Sequence, residues 1–221
     1  MTNIKYDVAI IDYGMGNLFS VKRACEHVGL NAVITHASDK IMNSSGVILP
    51  GVGAFGDAMS NLIKYDLVSP IKDYIQTGKP FMGICLGMQL MLSESEEFGA
   101  HKGLDIISGK VVKFPRLNAV GNTVKVPQVG WNSILPASVS WKNTPLEETA
   151  DGEAMYFVHS FYCIPDKAEN YLTATVYEDT KYCSSLIRGN VFAAQYHPEK
   201  SAKEGIKIYQ NWGNSVKKGS I

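Results

Sequence analysis

The first half of the chain alternates short apolar runs with longer amphipathic runs. The apolar runs cover residues 8–11, 32–35, 46–49 and 81–84, and each has the length of a β-strand. The amphipathic runs, at residues 18–28, 55–63, 70–76 and 86–94, have helical spacing, and Gly29 ends the first of them. Strands that are apolar on both faces and alternate with helices form parallel sheets covered on both sides. The first half is therefore predicted to be α/β.

The second half has a different texture, because after about Gly99 the residues Gly, Pro, Asn and Ser interrupt short β-type runs. Strands are predicted at residues 110–114, 123–126, 131–135, 154–159, 171–176, 184–188 and 191–195, before an amphipathic helix at residues 203–215. The sequence contains no linker, repeat or low-complexity stretch that would divide it. We expect one domain, residues 1–221, built on a mixed sheet.

Charge and hydropathy narrow the classes of partner. Lys plus Arg and Asp plus Glu both number 21, so there is no basic excess to bind a nucleic-acid backbone. The longest apolar runs are strand-sized, whereas a membrane-spanning helix needs about 20 apolar residues. Residues 1–7 lack the apolar core of a signal peptide. We expect a cytoplasmic protein that binds neither nucleic acid nor membrane.

The four cysteines are widely spaced and form no C-x-x-C pair; they are Cys25, Cys85, Cys163 and Cys183. Neither a zinc site nor a disulfide framework is indicated by this spacing. We expect reduced thiols and no metal or cofactor.

Cys85 lies between Gly83 and Gly87 where a predicted strand meets a predicted helix. This G-x-C-x-G pattern is typical of a nucleophile elbow, in which the flanking glycines relieve crowding at a strained central residue. A helix N-terminus also favours the thiolate, and the backbone N–H of Leu86 is then placed to meet an oxyanion. The alternative is a buried cysteine on a glycine-containing turn, so the nucleophile needs partners elsewhere.

A base and its orienter are predicted near the C-terminus. His197 and Glu199 are two positions apart, and in an extended segment side chains at this spacing lie on one side. Pro198 biases His197 toward extended geometry. His197 can take the thiol proton, while Glu199 fixes its tautomer. The alternative is an exposed strand-to-loop turn, in which proline and carboxylates are common.

Residues 46–56 contain G-x-G-x-x-G between a strand and a helix. A dinucleotide-binding loop would be followed about 20 residues later by an acid on a strand end, but Gln76 occupies that offset. Bare backbone beside the elbow better serves as a second oxyanion donor, and we expect the N–H of Gly53 or Val52 in that role. Glycine freedom would also let this peptide flip between two states.

These motifs together resemble the class I, or triad, glutamine amidotransferases, most closely the glutaminase subunits of imidazole glycerol phosphate synthases in the histidine pathway. The matching stretches are residues 12–18, 49–56, 83–90, 130–132, 156–160 and 197–201. The resemblance implies a flavodoxin-like mixed central sheet flanked by helices, with an added antiparallel strand region.

The resemblance also implies roles for particular residues. Cys85 would attack the carboxamide of L-glutamine, His197 would protonate the departing ammonia, and water would hydrolyse the glutamyl thioester. The positions that match glutamine-binding ones are the side chain of Gln89 and the backbones of Gly51, Ser160 and Phe161. From spacing alone, Gln89 is equally a polar residue on a solvated helix face. His159 receives no catalytic proton, since it is equally a hydrogen-bonded strand histidine.

A partner is expected because nothing else in the chain resembles a second active site that consumes ammonia. The family pairs this subunit with a (β/α)8-barrel cyclase, and Trp131, Asn132 and Tyr156 match positions near that interface. Strand aromatics are otherwise usually core residues. Gln128 stands where histidine-pathway members commonly have histidine, so we expect altered partner contacts.

Three other functions remain open from the sequence. Close paralogues of the resembled subunit supply ammonia for amidation of surface sugars. A stand-alone cysteine hydrolase or peptidase can be built on the same elbow. A regulatory binding module that retains the fold is disfavoured, because all three chemical groups of the predicted triad are present.

Overall fold

The computed structural model describes residues 6–219 of the chain. Residues 1–5 lie outside this part, and with them most of the segment on which the signal-peptide prediction rests. Within residues 6–219, no helix has both the length and the apolar character needed to cross a membrane.

The described chain forms six α-helices and fourteen strands. The helices are α1 (Leu18–His27), α2 (Ser38–Asn43), α3 (Phe55–Lys64), α4 (Val68–Gln76), α5 (Leu86–Leu90) and α6 (Ala202–Lys218). The strands of the first half are β1 (Val8–Ile11), β2 (Ala32–Thr35), β3 (Gly46–Leu49), β4 (Phe81–Ile84), β5 (Leu92–Ser95) and β6 (His101–Lys102). The remaining strands are β7 (Ile107–Lys113), β8 (Gln128–Ser133), β9 (Leu135–Pro136), β10 (Ala154–His159), β11 (Phe161–Pro165), β12 (Tyr171–Tyr177), β13 (Thr180–Arg188) and β14 (Val191–Ala194).

The central sheet is mixed, which confirms the predicted fold class. Its strand order is β2-β1-β3-β4-β14-β13-β11-β7-β5-β6, with β12 paired to β13 and β9 paired to β12. The five strands from β2 to β14 are parallel, and β13, β11 and β7 continue the sheet as antiparallel neighbours. A separate antiparallel pair, β8 and β10, forms the added strand region.

Both faces of the sheet are covered, as apolar strands require. Alternate residues of β1 point to opposite faces. Ala9 and Ile11 belong to the apolar cluster that contains α3 and α4, whereas Val8 and Ile10 belong to the cluster that contains α1 and α6. Trp212 of α6 is fully buried in the second cluster. Each large apolar side chain buried in this way contributes about 1.5–3 kcal/mol.

The structure corrects two of the predicted elements and contains others that were not predicted. The helix expected at residues 86–94 ends at Leu90, and Leu92–Ser95 is instead strand β5, paired with β6 and β7. The strand expected at residues 123–126 is absent from the described chain, where only an isolated bridge joins Leu117 to Thr123. Helix α2 and strand β11 were not predicted, and β11 is the strand that brings Phe161 to the site described next.

Candidate active site

Cys85 occupies a sharp turn between β4 and α5. Its φ of 54° and ψ of −110° are rarely adopted by a residue with a side chain, and such strain costs on the order of 1–3 kcal/mol. The flanking glycines permit the turn: a Cβ on Gly87 would lie 1.8 Å from the carbonyl oxygen of Leu49. The local geometry is therefore that of a nucleophile elbow, as the sequence predicts.

The predicted base and orienter are in direct contact. His197 Nδ1 donates a hydrogen bond to Glu199 Oε1 at 2.8 Å, and the two side chains are 2% and 1% exposed. His197 is extended, but Pro198–Lys200 form a 3-10 turn. The expectation that residues 197–199 are extended throughout was therefore wrong, and it is the turn that folds Glu199 back onto the imidazole. The alternative of an exposed turn is excluded by the burial of both groups.

His197 also interacts with Cys85. Its Nε2 atom is buried and has no hydrogen bond of regular geometry to any described residue. Burial alone would lower the pKa of His197, but the Cys85 sulfur and the Glu199 carboxylate outweigh it and raise this pKa to about 10. Both neighbours stabilise an imidazolium because they offer it negative charge. The site thus favours the protonated imidazole of His197.

The glycine loop between β3 and α3 lies against the elbow. The Leu86 N–H, the expected oxyanion donor, donates to the carbonyl oxygen of Gly51 at 3.4 Å. Tyr13 Oη donates to the neighbouring carbonyl of Pro50 at 2.8 Å. Gly53 has a φ of 108°, a conformation natural only to glycine, and Val52 is partly exposed. In this state the Leu86 N–H is occupied by the Gly51 carbonyl.

Gln89 is buried, so the alternative of a solvated helix face is excluded. Its Nε2 donates to the carbonyl oxygen of Phe161 and to Gln195 Oε1, both at 3.0 Å. Ser160 lies between β10 and β11, and its carbonyl accepts the N–H of Phe114 at 3.1 Å. The structure therefore brings Gln89 and Phe161 together beside the elbow, with Ser160 adjacent in the chain.

His159 is a buried, hydrogen-bonded strand residue. Its Nδ1 donates to the Phe161 carbonyl at 2.8 Å, and its Nε2 lies 3.2 Å from Tyr182 Oη. Burial lowers the pKa of His159 to about 4, and the charge of nearby His197 acts in the same direction. His159 is therefore neutral at pH 7.

Gln128, which departs from the common family residue, extends this network. Its side chain lies 2.9 Å from Tyr182 Oη and is 2% exposed. Gln128 lies in the interior of this chain, and the expectation of altered partner contacts stays a prediction. It stands at the far end of the hydrogen-bonded chain that runs through Tyr182 and His159.

The end of the glycine loop is fixed by a residue that sequence reasoning missed. Glu97 Oε2 accepts the backbone N–H of Phe55, the first residue of α3, at 2.7 Å. Burial raises the pKa of Glu97, and the bond from Phe55 opposes that shift. A carboxylate at this position also matches the helix dipole. No motif signals it, since the contact joins residues 42 positions apart.

Comparison with known proteins agrees with this geometry. Residues 9–213 match the family described as Glutamine amidotransferase class-I. The chain belongs to this family.

Curated relatives of this amidotransferase are similar along nearly their whole length. The protein "Imidazole glycerol phosphate synthase subunit HisH" of Chlorobaculum tepidum is 44% identical over 207 residues, which is 93% of this chain and 98% of that protein. The subunit "HisH 1" of Legionella pneumophila strain Paris is 41% identical over 93% of this chain and 97% of that protein.

Solved structures share the fold of this amidotransferase. PurLQS from Thermotoga maritima superposes with a TM-score of 0.71 at 19% identity, over 96% of this chain and 99% of that chain. The glutaminase domain of Trypanosoma brucei CTPS, with bound acivicin, gives a TM-score of 0.66 at 15% identity, over 96% and 93% of the two chains. At these identities the likeness shows the fold alone.

The amidotransferase has an exposed aromatic patch beside the triad, which we define as Val129, Trp131 and Tyr156. Trp131 is 56% exposed and meets Tyr156 edge-on at 6.1 Å, and Val129 is 57% exposed. The alternative that these aromatics are core residues therefore fails for Trp131. Lys200 lies over the Tyr156 ring at 5.9 Å. Asn132 of β8 donates a hydrogen bond from its Nδ2 to the carbonyl of Val176 in β12.

Proposed function

We propose that this chain is the glutaminase subunit of an imidazole glycerol phosphate synthase, acting in a cytoplasmic heterodimer of histidine biosynthesis. The observation that carries the chemistry is the buried arrangement of Cys85, His197 and Glu199 on a nucleophile elbow. The use of the ammonia in imidazole glycerol phosphate synthesis is supported by the relatives. Subunits named for imidazole glycerol phosphate synthase are 41–44% identical to this chain over 93% of its length.

The reaction uses the groups of the site in order. The Cys85 thiolate attacks the carboxamide carbon of L-glutamine, and the resulting tetrahedral oxyanion collapses as the C–N bond breaks. The His197 imidazolium gives its Nε2 proton to the departing nitrogen, which leaves as ammonia. Neutral His197 then takes a proton from water, whose oxygen attacks the glutamyl thioester. Glutamate leaves and the thiolate–imidazolium pair is restored.

The glycine loop controls whether the oxyanion is stabilised. The Leu86 N–H must lose its bond to the Gly51 carbonyl before it can meet the oxyanion. Rotation of the peptide after Gly51 would remove that carbonyl and turn the N–H of Val52 inward, and the glycine at position 53 permits the compensating backbone change. The described state is therefore a resting one, with a donor present but occupied.

A (β/α)8-barrel cyclase is the proposed receiver of ammonia. The patch of Val129, Trp131 and Tyr156 supports docking beside the triad, since exposed apolar patches with an aromatic anchor mark protein interfaces. His197 is hydrogen-bonded to this patch, because its backbone N–H donates to the Tyr156 carbonyl at 3.0 Å. A partner that covers the patch would thus lie directly over the site of ammonia release.

The test is glutamate release from glutamine, measured with the chain alone and with a barrel cyclase subunit and its phosphoribulosyl nucleotide ligand. We expect release to rise strongly in the complex and to vanish in Cys85→Ala. Cys25→Ala, which alters a buried cysteine in α1, is the matched control and should retain turnover. Wild-type turnover in Cys85→Ala would overturn the mechanism. Rapid cleavage of γ-glutamyl peptides by the isolated chain would favour the stand-alone hydrolase.

A further inference from the structure

Gln195 is a fully buried polar residue at the centre of the site, and no motif assigns it a role. It follows strand β14, and its backbone N–H donates to the carbonyl of Ser184 at 2.9 Å. Its side-chain Nε2 lies 3.6 Å from Cys85 Sγ, within hydrogen-bonding reach of a sulfur acceptor. The sulfur is therefore approached by an amide from Gln195 in addition to the imidazole of His197.

The orientation of the Gln195 amide is fixed by its neighbours. The Phe161 carbonyl can only accept, so the atom of Gln89 that faces it must be the Nε2 nitrogen. The same nitrogen lies 3.0 Å from the Gln195 side chain, so the oxygen of that side chain must face it. The remaining Gln195 nitrogen then points to the sulfur. Only this assignment satisfies all three contacts, because a flipped Gln195 would oppose two donors.

We propose that Gln195 is a further catalytic residue, whose side-chain amide donates a hydrogen bond to Cys85 Sγ and stabilises the thiolate. The inference deepens the proposed glutaminase function and rests on it for its catalytic meaning. The amide acts twice in the cycle. It stabilises the thiolate before attack on the carboxamide carbon, and again when water attacks the thioester and the C–S bond breaks, leaving the electron pair on sulfur.

A neutral donor has a property that His197 lacks. The Gln195 amide does not titrate, so it offers the same hydrogen bond to sulfur whether His197 is protonated or has just given its proton to the departing nitrogen. His197 is neutral from the departure of ammonia until it takes a proton from the attacking water, and during that interval the Gln195 amide still donates to the sulfur. Gln89 makes this donor rigid, since its own amide spends both hydrogens on Phe161 and Gln195.

The test is the rate of Cys85 alkylation by iodoacetamide between pH 5 and 10, which reports the thiolate and needs neither glutamine nor partner. Gln195→Met keeps the length of the side chain and removes the donor, and it should slow alkylation at pH 7 about tenfold and move the midpoint of the profile upward. Gln195→Glu keeps the shape but presents a carboxylate oxygen to the sulfur, and it should slow alkylation further. The control is Gln210→Met, the same substitution on the exposed face of α6. Its alkylation profile should match that of the wild type.

The outcomes separate this proposal from the proposed function. Wild-type alkylation profiles in both folded Gln195 variants would overturn the role of the amide, whatever the chain does with glutamine. Retarded alkylation in a chain that releases no glutamate with any partner would instead count against the glutaminase. If circular dichroism shows that the variants misfold, NMR of the wild-type chain labelled with 15N-glutamine provides the test instead. The side-chain amide signal of Gln195 should shift when Cys85 is alkylated. An unchanged Gln195 signal would overturn the proposal.

Discussion

In the proposed mechanism, Glu199 acts on the reaction only through His197, which makes it a positioning residue. Its Oε1 accepts the Nδ1–H of His197, which leaves Nε2 as the ring nitrogen available to exchange protons. Removing the negative charge leaves the imidazolium less stabilised and permits the wrong tautomer. We therefore expect Glu199→Gln to reduce kcat by about two to four orders of magnitude with little change in KM.

The readout for Glu199→Gln is the pH profile of glutamate release together with the kcat and KM values. Loss of the carboxylate removes one of the two groups that raise the pKa of His197, so the alkaline limb of the profile should move to lower pH. Glu204→Gln, a change in the first turn of α6, serves as the control. A parallel loss of stability with an unmoved pH profile would mean that Glu199 only supports the fold.

We expect the fold to lose stability in acid because of the buried His159. Its pKa of about 4 in the folded chain lies below the ordinary value of about 6.5. The stability that His159 contributes to the fold is complete above pH 6.5 and is lost as the pH falls toward 4. The cause is that the unfolded chain binds a proton that the folded chain does not. The wild type should lose about 3 kcal/mol of unfolding free energy from this residue alone.

Urea denaturation at pH 7.5, 5.5 and 4.5 measures the His159 effect, with His159→Gln as the comparison. The variant is expected to be less stable than the wild type at pH 7.5, and the difference should narrow as the pH falls. A constant difference across the three pH values would show that His159 is protonated in the folded chain or already exposed.

At the scale of elements, the elbow depends on contact between α5 and β3. A Cβ on Gly87 would overlap the Leu49 carbonyl, and backbone cannot move aside as a flexible side chain can. Gly87→Ala should therefore destabilise the fold by about 3 kcal/mol or more. Gly78→Ala is the control: its φ of 77° is strained for alanine but no atom lies within 4 Å of the added Cβ, so about 1–2 kcal/mol is expected. Equal losses in thermal denaturation would contradict this account.

The elements that the sequence predicts correctly are those whose pattern is local. Strands β1 to β4 are short, largely apolar runs that alternate with helical segments, so their exact residues follow from the chain itself. The helix predicted to run to residue 94 fails because Leu92–Ser95 pairs with β7, a strand that begins at Ile107. Pairing partners outside the window override local helical spacing.

The candidate site divides in the same way. Cys85, His197 and Glu199 are found from short motifs, because the turn around the cysteine and the His-Pro-Glu segment are local. Gln195 and Glu97 are missed, since each matters only through a contact 110 or 42 residues distant in sequence. The occupied Leu86 N–H is likewise a property of the folded loop, which the glycines permit but do not specify.

At the scale of the whole molecule, backbone hydrogen bonds connect the site to the exposed patch. Tyr156, a residue of the patch, lies on β10. Its backbone carbonyl accepts the backbone N–H of His197, and its backbone N–H donates to Ser201 Oγ at 3.0 Å. A partner that presses on the patch therefore acts on the segment that holds the base. Under the proposed function, these hydrogen bonds would let a docked cyclase influence the position of His197 without contributing a catalytic group.

Trp131→Ala tests this connection. Truncating a half-exposed tryptophan at the centre of a docking patch removes an interface anchor, so the dissociation constant of the cyclase complex should rise at least about tenfold. Alkylation of Cys85 in the isolated chain should be unchanged, because the Trp131 ring is more than half exposed and packs on Tyr156. Ile63→Ala removes an exposed apolar side chain from α3 and should leave the complex intact. Titration calorimetry gives both constants, and equal affinities for the two variants would place the partner on another face of the molecule.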